Sequence, residues 1–336
     1  MHNQAASNNE SQNNDNLEEQ VSYSKETFNI KKQMGEVFVP NFIKKNKLQD
    51  LKELVGSAVN LSKEKNGRSV VISVCSEKGG VGKTTTAIAL AQLLVNLEFR
   101  VLVLDTDNLK SSAKILNSRI KAIHELIQEG QDENIPEEII INRKKNLDPI
   151  VDTLPVDVKA FNTSYIEDLA SSNQYDIIVV DTAGRKDSQA GTFDPRKLEA
   201  ADVPHITSAY NSNAIIIPMK TTSIDMLVAT EYYLPLLQFF QAIKSKKVVK
   251  YQTVARILPS MIEKDGLGVR ELVNFKEETG FDFFDTEIRR SEKIANKVNY
   301  LGIETVFTTK VAGGVLQSFF KLAEQVFEDV KVSLGE

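Results

Sequence analysis

Nine consecutive residues carry the densest chemistry in the chain: Glu77-Lys78-Gly79-Gly80-Val81-Gly82-Lys83-Thr84-Thr85. Glycines here let the backbone wrap a phosphate with its N–H groups pointing inward. A helix opening just after them adds its positive dipole end. Lys83 can then reach β/γ oxygens, and the Thr84 hydroxyl suits a Mg2+ ligand. The run matches the phosphate-loop pattern G-x-x-x-x-G-K-[ST] except at its first position, where Glu77 stands in place of glycine. Gly79, Gly80, Val81, Gly82, Lys83, Thr84 and Thr85 are therefore the expected nucleotide-binding residues.

Acidic strand ends supply what a phosphate loop alone lacks. Asp181 closes the run Ile177-Ile178-Val179-Val180, and Asp105 and Asp107 follow Val101-Leu102-Val103-Leu104. A lone Asp after a buried strand is often only a turn residue. Three carboxylates on one sheet edge beside a phosphate loop are better explained as metal and water ligands, with Thr84, Asp105 and Asp181 the expected metal set. The implied reaction is hydrolysis of a nucleoside triphosphate, with Mg2+ and the lysines neutralising the developing charge.

These residues need a scaffold that brings strand ends together. Ser69–Ser76, Val101–Asp105, Asp176–Asp181 and Ala214–Pro218 read as buried strands, with Val248–Leu258 and Glu304–Phe307 completing the sheet. Thr84–Leu97 reads as an apolar helix. Near-continuous Val/Ile/Leu runs alternating with helices predict an α/β fold, a mostly parallel sheet with helices on both faces. Such sheets bind ligands at the carboxyl ends of their strands. At 336 residues the chain has ample length for one such domain with an extension.

Ahead of the sheet the composition changes twice. Residues 1–24 are rich in Asn and Gln with almost nothing apolar in the first 20, the signature of a disordered tail. From Lys25 to Arg68, ten Lys/Arg stand against five Asp/Glu, a local charge of +5. Within that stretch Leu48, Leu51, Leu54, Val55, Ala58, Val59 and Leu61 recur at helical spacing up to Asn66-Gly67. The expected division is a tail over 1–24, a basic helical extension over 25–67, and a nucleotide-hydrolysing domain over 68–336.

Lys78-Gly-Gly-Val-Gly-Lys83-Thr-Thr resembles the deviant Walker A motif of the ParA/MinD ATPases, which carries an extra lysine. The likeness runs from about Ser69 to the C-terminus. It takes in Val-Leu-Val-Leu-Asp105-Thr-Asp107, Ile-Ile-Val-Val-Asp181-Thr-Ala-Gly as Walker B, and Ala-Ile-Ile-Ile-Pro218. The late segments Phe284-Asp-Thr-Glu-Ile288-Arg289 and Leu301-Gly-Ile-Glu-Thr-Val-Phe307 look most like the plasmid and chromosome partition branch. The resemblance implies an ATP-dependent sandwich homodimer with Lys78, Lys83 and Asp107 as catalytic residues. Lys78 would contact phosphate bound in the partner subunit, and Asp107 would position the attacking water. The chain departs from the family where Asn108-Leu109-Lys110 replaces the usual Pro-Gln, and residues 185–210 look like an insertion.

The resemblance also implies non-specific DNA binding and a centromere-binding, ParB-like or small adaptor partner that stimulates hydrolysis. Candidate DNA contacts are Arg289, Arg290, Lys293 and Lys297, with helical spacing placing Arg289, Lys293 and Lys297 on one face, and Arg270 as an addition. A second basic run is Lys244, Lys246, Lys247 and Lys250. A net charge of -5 argues against a protein coating nucleic acid with its whole surface, but not against a local patch.

Several relatives fit less well. The iron–sulfur carriers of the superfamily need cysteines, and only Cys75 is present. The apolar stretch Val311–Leu334 carries Glu324, Glu328 and Asp329, with Glu336 just beyond it, which anionic lipid would not attract, so a core helix is expected and no membrane contact. No signal peptide is readable, and a cytoplasmic, nucleoid-associated location is expected. A nucleotide-gated scaffold that positions a protein cargo is the alternative function. A signal-recognition-type GTPase is a more distant one, because Thr222-Ser223-Ile224-Asp225 lacks the lysine of the guanine-reading Thr-Lys-x-Asp and leaves Lys78 unexplained.

Overall fold

The computed structural model describes residues 45–107, 110–118, 152–155, 163–184, 193–197, 202–245, 253–262, 267–290 and 313–336. Its strands are β1 Val70–Val74, β2 Val101–Asp105, β3 Asp152–Pro155, β4 Ile177–Asp181, β5 Ala214–Met219, β6 Val254–Ile262 and β7 Ile288–Arg289. They form one seven-stranded sheet in the order β3-β2-β4-β1-β5-β6-β7. Every pairing within it is parallel. β1 therefore sits centrally, with β4 on one side and β5 on the other.

Side-chain alternation along these strands feeds two faces. Val70, Ile72, Val74, Val101, Val103, Ile177, Val179 and Ile216 share one core with three helices: α1 Lys45–Asn66, α2 Lys83–Asn96 and α8 Gly313–Ser333. On the opposite face Val71, Leu102, Leu104, Ile178 and Val180 pack on Ile166 and Ala170 of α3 Thr163–Ser171. Further along that sheet, beside Ile206 of α4 Val203–Asn211, Ile215, Ile217 and Ile257 meet Tyr232, Phe275 and Leu236 of α6 Leu234–Ser245. Every residue of β1, β2, β4 and β5 is buried, which is why their sequences run apolar without alternation.

The helical spacing read at 48–61 is a helix, and its apolar positions find partners. Leu51, Val55, Ala58 and Val59 of α1 are buried against the same core as Phe319, Phe320, Val326 and Phe327 of α8. Burial of each Leu or Val there contributes about 2 kcal/mol. Both helices consequently contribute to one core with β1, β2 and β4. Among the described residues, no helix is long and apolar enough to cross a membrane.

Polar ties fix the amino ends of the strands. Arg68 is fully buried, with Nη1 donating to Glu167 at 2.8 Å and Nη2 donating to the Asn211 carbonyl. Asp176 accepts from Lys63 Nζ at 2.6 Å and from Arg100 Nη2 at 2.8 Å, joining α1, the start of β2 and the start of β4. These anchors lie opposite the strands' carboxyl ends, where the acidic residues converge.

Three features differ from the sequence-based reading. β6 begins at Val254 and runs on to Ile262, with a bulge at Met261, instead of ending at Leu258. β3 and β7 join the sheet edges unforeseen, because Asp-Thr-Leu-Pro and Ile-Arg are too short or too polar to register as apolar runs. Arg289 ends a strand and does not share a helix face with later lysines, since Ile288 is drawn into the core and pairing with β6 extends the backbone. Residues 1–44, Asn108, Leu109, and the proposed strand residues 248–252 and 304–307 lie outside the described residues.

Candidate active site

β1 and β4 pair in register with Val74 opposite Asp181, and β2 and β4 with Asp105 opposite Asp181. Asp105 and Asp181 are therefore neighbours at one carboxyl edge, directly beside the departure point of the phosphate loop. The loop turns through two left-handed glycines, Gly80 at φ 70° and Gly82 at φ 97°, conformations that a side chain would strain. Gly82 is the N-cap of α2, so its first backbone donors open onto the loop. Tolerance for close approach extends to Gly184. A methyl group there would lie 3.0 Å from Lys83 Nζ, 3.3 Å from the Glu77 carbonyl oxygen and 3.5 Å from Gly79 N.

Lys83 is buried, and its Nζ donates to the loop's own Lys78 carbonyl at 2.8 Å. Burial lowers its pKa from the ordinary lysine value, and Asp181 and Asp107 oppose that shift. A phosphate oxygen would give the ammonium an anionic partner in place of a carbonyl. Thr84 Oγ1 donates to Asp181 Oδ2 at 2.9 Å. Asp181 is pushed up to about 7 by burial first and by Asp105 second, with Thr84, Lys83 and Ser112 acting in the other direction. Its second oxygen, Oδ1, is buried without a hydrogen bond. A hydroxyl and a buried, underpaired carboxylate side by side fit a divalent cation, which would supply the missing charge.

Asp105 is fully buried and both its oxygens hold backbone, Oδ1 accepting from Asp107 N at 3.0 Å and Oδ2 from Ala113 N at 2.9 Å. It shapes the turn that carries Asp107, and it raises the Asp181 pKa through space. Asp107 itself stands partly exposed at the rim. The Cys75 thiol, buried beside β5, is pushed up to about 12 by burial, so it stays protonated and is no nucleophile.

Lys78 does not point free into solvent. Its Nζ pairs with Asp225 Oδ1 at 2.8 Å, and Asp225 is almost fully buried. Asp225 lies in the first turn of α5 Ser223–Val228, where Thr222 caps the helix by accepting from Asp225 N. The Thr222 hydroxyl also donates to Asp225 Oδ2. Asp225 is thus committed to Lys78 and to its own helix start, the arrangement of a cap and ion pair and not of a base-reading carboxylate.

Asp225, Lys220, Met261 and Gly184 adjoin the site without having been singled out for it from sequence. Lys220 Nζ would be 3.9 Å from a methyl on Gly80, and Met261 Cε 4.0 Å from one on Gly82. Lys220 follows the last residue of β5 and Met261 stands one before the last of β6, positions that the apolar runs ahead of them signal in the sequence. Of the candidate DNA contacts, Arg289 and Arg290 are exposed at the end of β7, and Arg289 Nε donates to Glu287 at 2.9 Å. Arg270 falls in α7 Leu267–Thr279, while Lys293 and Lys297 lie outside the described residues.

A family model described as the CobQ/CobB/MinD/ParA nucleotide binding domain matches residues 72–301. Among solved structures, the ATP complex of Cyanothece McdA is similar at 17% identity, over 80% of this chain and 97% of that one, with a TM-score of 0.46. A putative plasmid partition protein from Borrelia burgdorferi B31 bound to AMPPNP is 19% identical over 79% of this chain and 99% of that one, with a TM-score of 0.46. The cell division protein MinD of Aquifex aeolicus is 17% identical over 77% and 97%, with a TM-score of 0.49.

Proposed function

We propose, from the premise that the chain belongs to the CobQ/CobB/MinD/ParA nucleotide-binding family, that it is a Mg2+-dependent ATPase of the DNA-partition type. The observation that carries the reading is the Thr84–Asp181 hydrogen bond beside the left-handed glycines and Lys83, a phosphate and metal cradle at one sheet edge. Gly79 to Thr85 would hold the phosphates, and Thr84 with Asp181 would hold Mg2+, directly or through water. Bound Mg2+ supplies charge neutralisation at the phosphoryl oxygens. Lys83 contributes a fixed cation within the loop, and Asp107, whose backbone N–H is held by Asp105, would align the attacking water. Lys78, freed from Asp225, would reach phosphate in a second copy and so couple nucleotide state to dimerisation. Exposed Arg289 and Arg290 would hold DNA phosphates in that dimer, and a centromere-binding partner would stimulate turnover.

Phosphate release by the purified full chain tests this, measured with ATP and Mg2+ alone, with DNA, and with DNA plus the candidate partner. Turnover that rises with DNA and partner supports partition. Turnover indifferent to both favours a nucleotide-gated scaffold for a protein cargo, and no ATP binding at all overturns the nucleotide reading.

A further inference from the structure

We propose that Lys220 is a phosphate-binding residue of the same subunit, reaching the outermost phosphate of the nucleotide across the bare side of Gly80. The inference rests on the nucleotide reading above and adds a residue to it. β5 runs beside β1 with Val74 opposite Ile216, and Cys75 N donates to the Ile216 carbonyl at 2.9 Å. The carboxyl end of β5 therefore lies alongside the point where the phosphate loop leaves β1, and Lys220 is the first residue after β5. Its Nζ borders the open side of Gly80, 3.9 Å from where a methyl on that residue would lie.

Charge bookkeeping around the loop makes that position informative. Lys78 has Asp225 as its counter-ion. Asp225 is further engaged by Thr222, so the carboxylate nearest in sequence to Lys220 is taken. Among the described residues Lys220 makes no ion pair, yet it is partly buried and its Nζ lies beside Gly80 of the loop. Bringing an ammonium to backbone donors and to the lysines of the same loop is unfavourable unless an anion joins them. Lys83 acts from the inner side, against Gly184 and the Lys78 carbonyl. Gly80 precedes the start of α2 at Lys83 by three residues, so a cation beside it would be offered to a phosphate other than the one held at the helix start. Lys220 would then distinguish a triphosphate from a diphosphate before any second subunit arrives.

The test is equilibrium titration of the full chain with fluorescent ATP and ADP analogues in Mg2+, at concentrations too low for dimerisation. Lys220→Ala should weaken ATP binding about tenfold and ADP binding less than about twofold, one charge-assisted contact being lost. Lys220→Arg should retain the preference for ATP, and Lys220→Gln, which keeps the stem, should lose it as Ala does. Unchanged ATP binding in both the Ala and Gln variants, or equal loss of ATP and ADP, overturns the assignment while leaving the nucleotide reading intact. A wild-type chain that binds neither nucleotide overturns that reading and the assignment with it.

Discussion

Lys78 Nζ lies 2.8 Å from Asp225 Oδ1, so the phosphate loop after β1 is tied to the first turn of α5 after β5 within one subunit. The Lys78 side chain is 30% exposed, and its carboxylate partner is 2% exposed. In the proposed dimer Lys78 would have to leave this pair before reaching a second copy, which would make the pair a brake on dimerisation.

Replacing Asp225 with Asn should release that brake. Two such pairs break per dimer, and a partly exposed pair contributes about 1 kcal/mol. The ATP-dependent dimer should then form at roughly 10-fold to 30-fold lower protein concentration, read by analytical ultracentrifugation. Lys78→Ala should bind ATP as a monomer and lose turnover. An Asp225→Asn chain that dimerises as the wild type does would show that the pair sets no barrier.

Asp181→Asn separates the demands of catalysis from those of folding. Burial and Asp105 hold the native carboxyl at about 7, well above its ordinary value, so its charge burdens the fold. A neutral isostere should raise the melting temperature by a few degrees and lower Mg2+-dependent hydrolysis at least about 100-fold. Calorimetry and phosphate release on one preparation give both numbers. A melting temperature that falls would mark Asp181 as structural.

The phosphate loop, both acidic strand ends and the four central strands were legible because each is a local pattern: glycine spacing, or an apolar run closed by Asp. The Lys78–Asp225 pair was not. Its members stand 147 residues apart, and only the insertion of β1 between β4 and β5 brings their loops together. In sequence Asp225 reads only as the end of an incomplete guanine-reading motif. Charge spacing around Arg289 fits a helix or a strand, and the burial of Ile288 decides for the strand. The long helices α1 and α8 were readable as amphipathic. Their mutual packing was not, since periodicity gives a face and never its partner.

Arg289→Ala with Arg290→Ala should weaken ATP-dependent DNA retention while leaving nucleotide binding unchanged, because β7 lies at the sheet edge away from β1. Loss of two phosphate contacts should reduce the slope of log K against log salt by about 2. Arg289 already pairs with Glu287, so Glu287→Gln should act in the opposite direction and tighten retention slightly. A salt titration with an unchanged slope would remove both arginines from the DNA surface.

Arg256 Nη2 meets Asp329 Oδ1 at 2.6 Å, joining β6 to α8, and burial pushes the Asp329 carboxyl up to about 6 despite Arg256, with Glu328 and Asp282 adding to the rise. A carboxyl with a raised folded pKa binds its proton more tightly in the folded chain. Stability therefore falls as pH climbs from the usual carboxylate range through about 6, and levels off above it. Arg256→Ala leaves the buried carboxylate without its counter-ion, so the loss should be small at pH 5 and about 2–3 kcal/mol at pH 8, discounted for the partial exposure of Arg256. Asp329→Asn should flatten the same window. Urea unfolding at both pH values reads these differences directly, and an Arg256→Ala loss equal at pH 5 and pH 8 would mean that packing of the guanidinium, not its charge, holds β6 against α8.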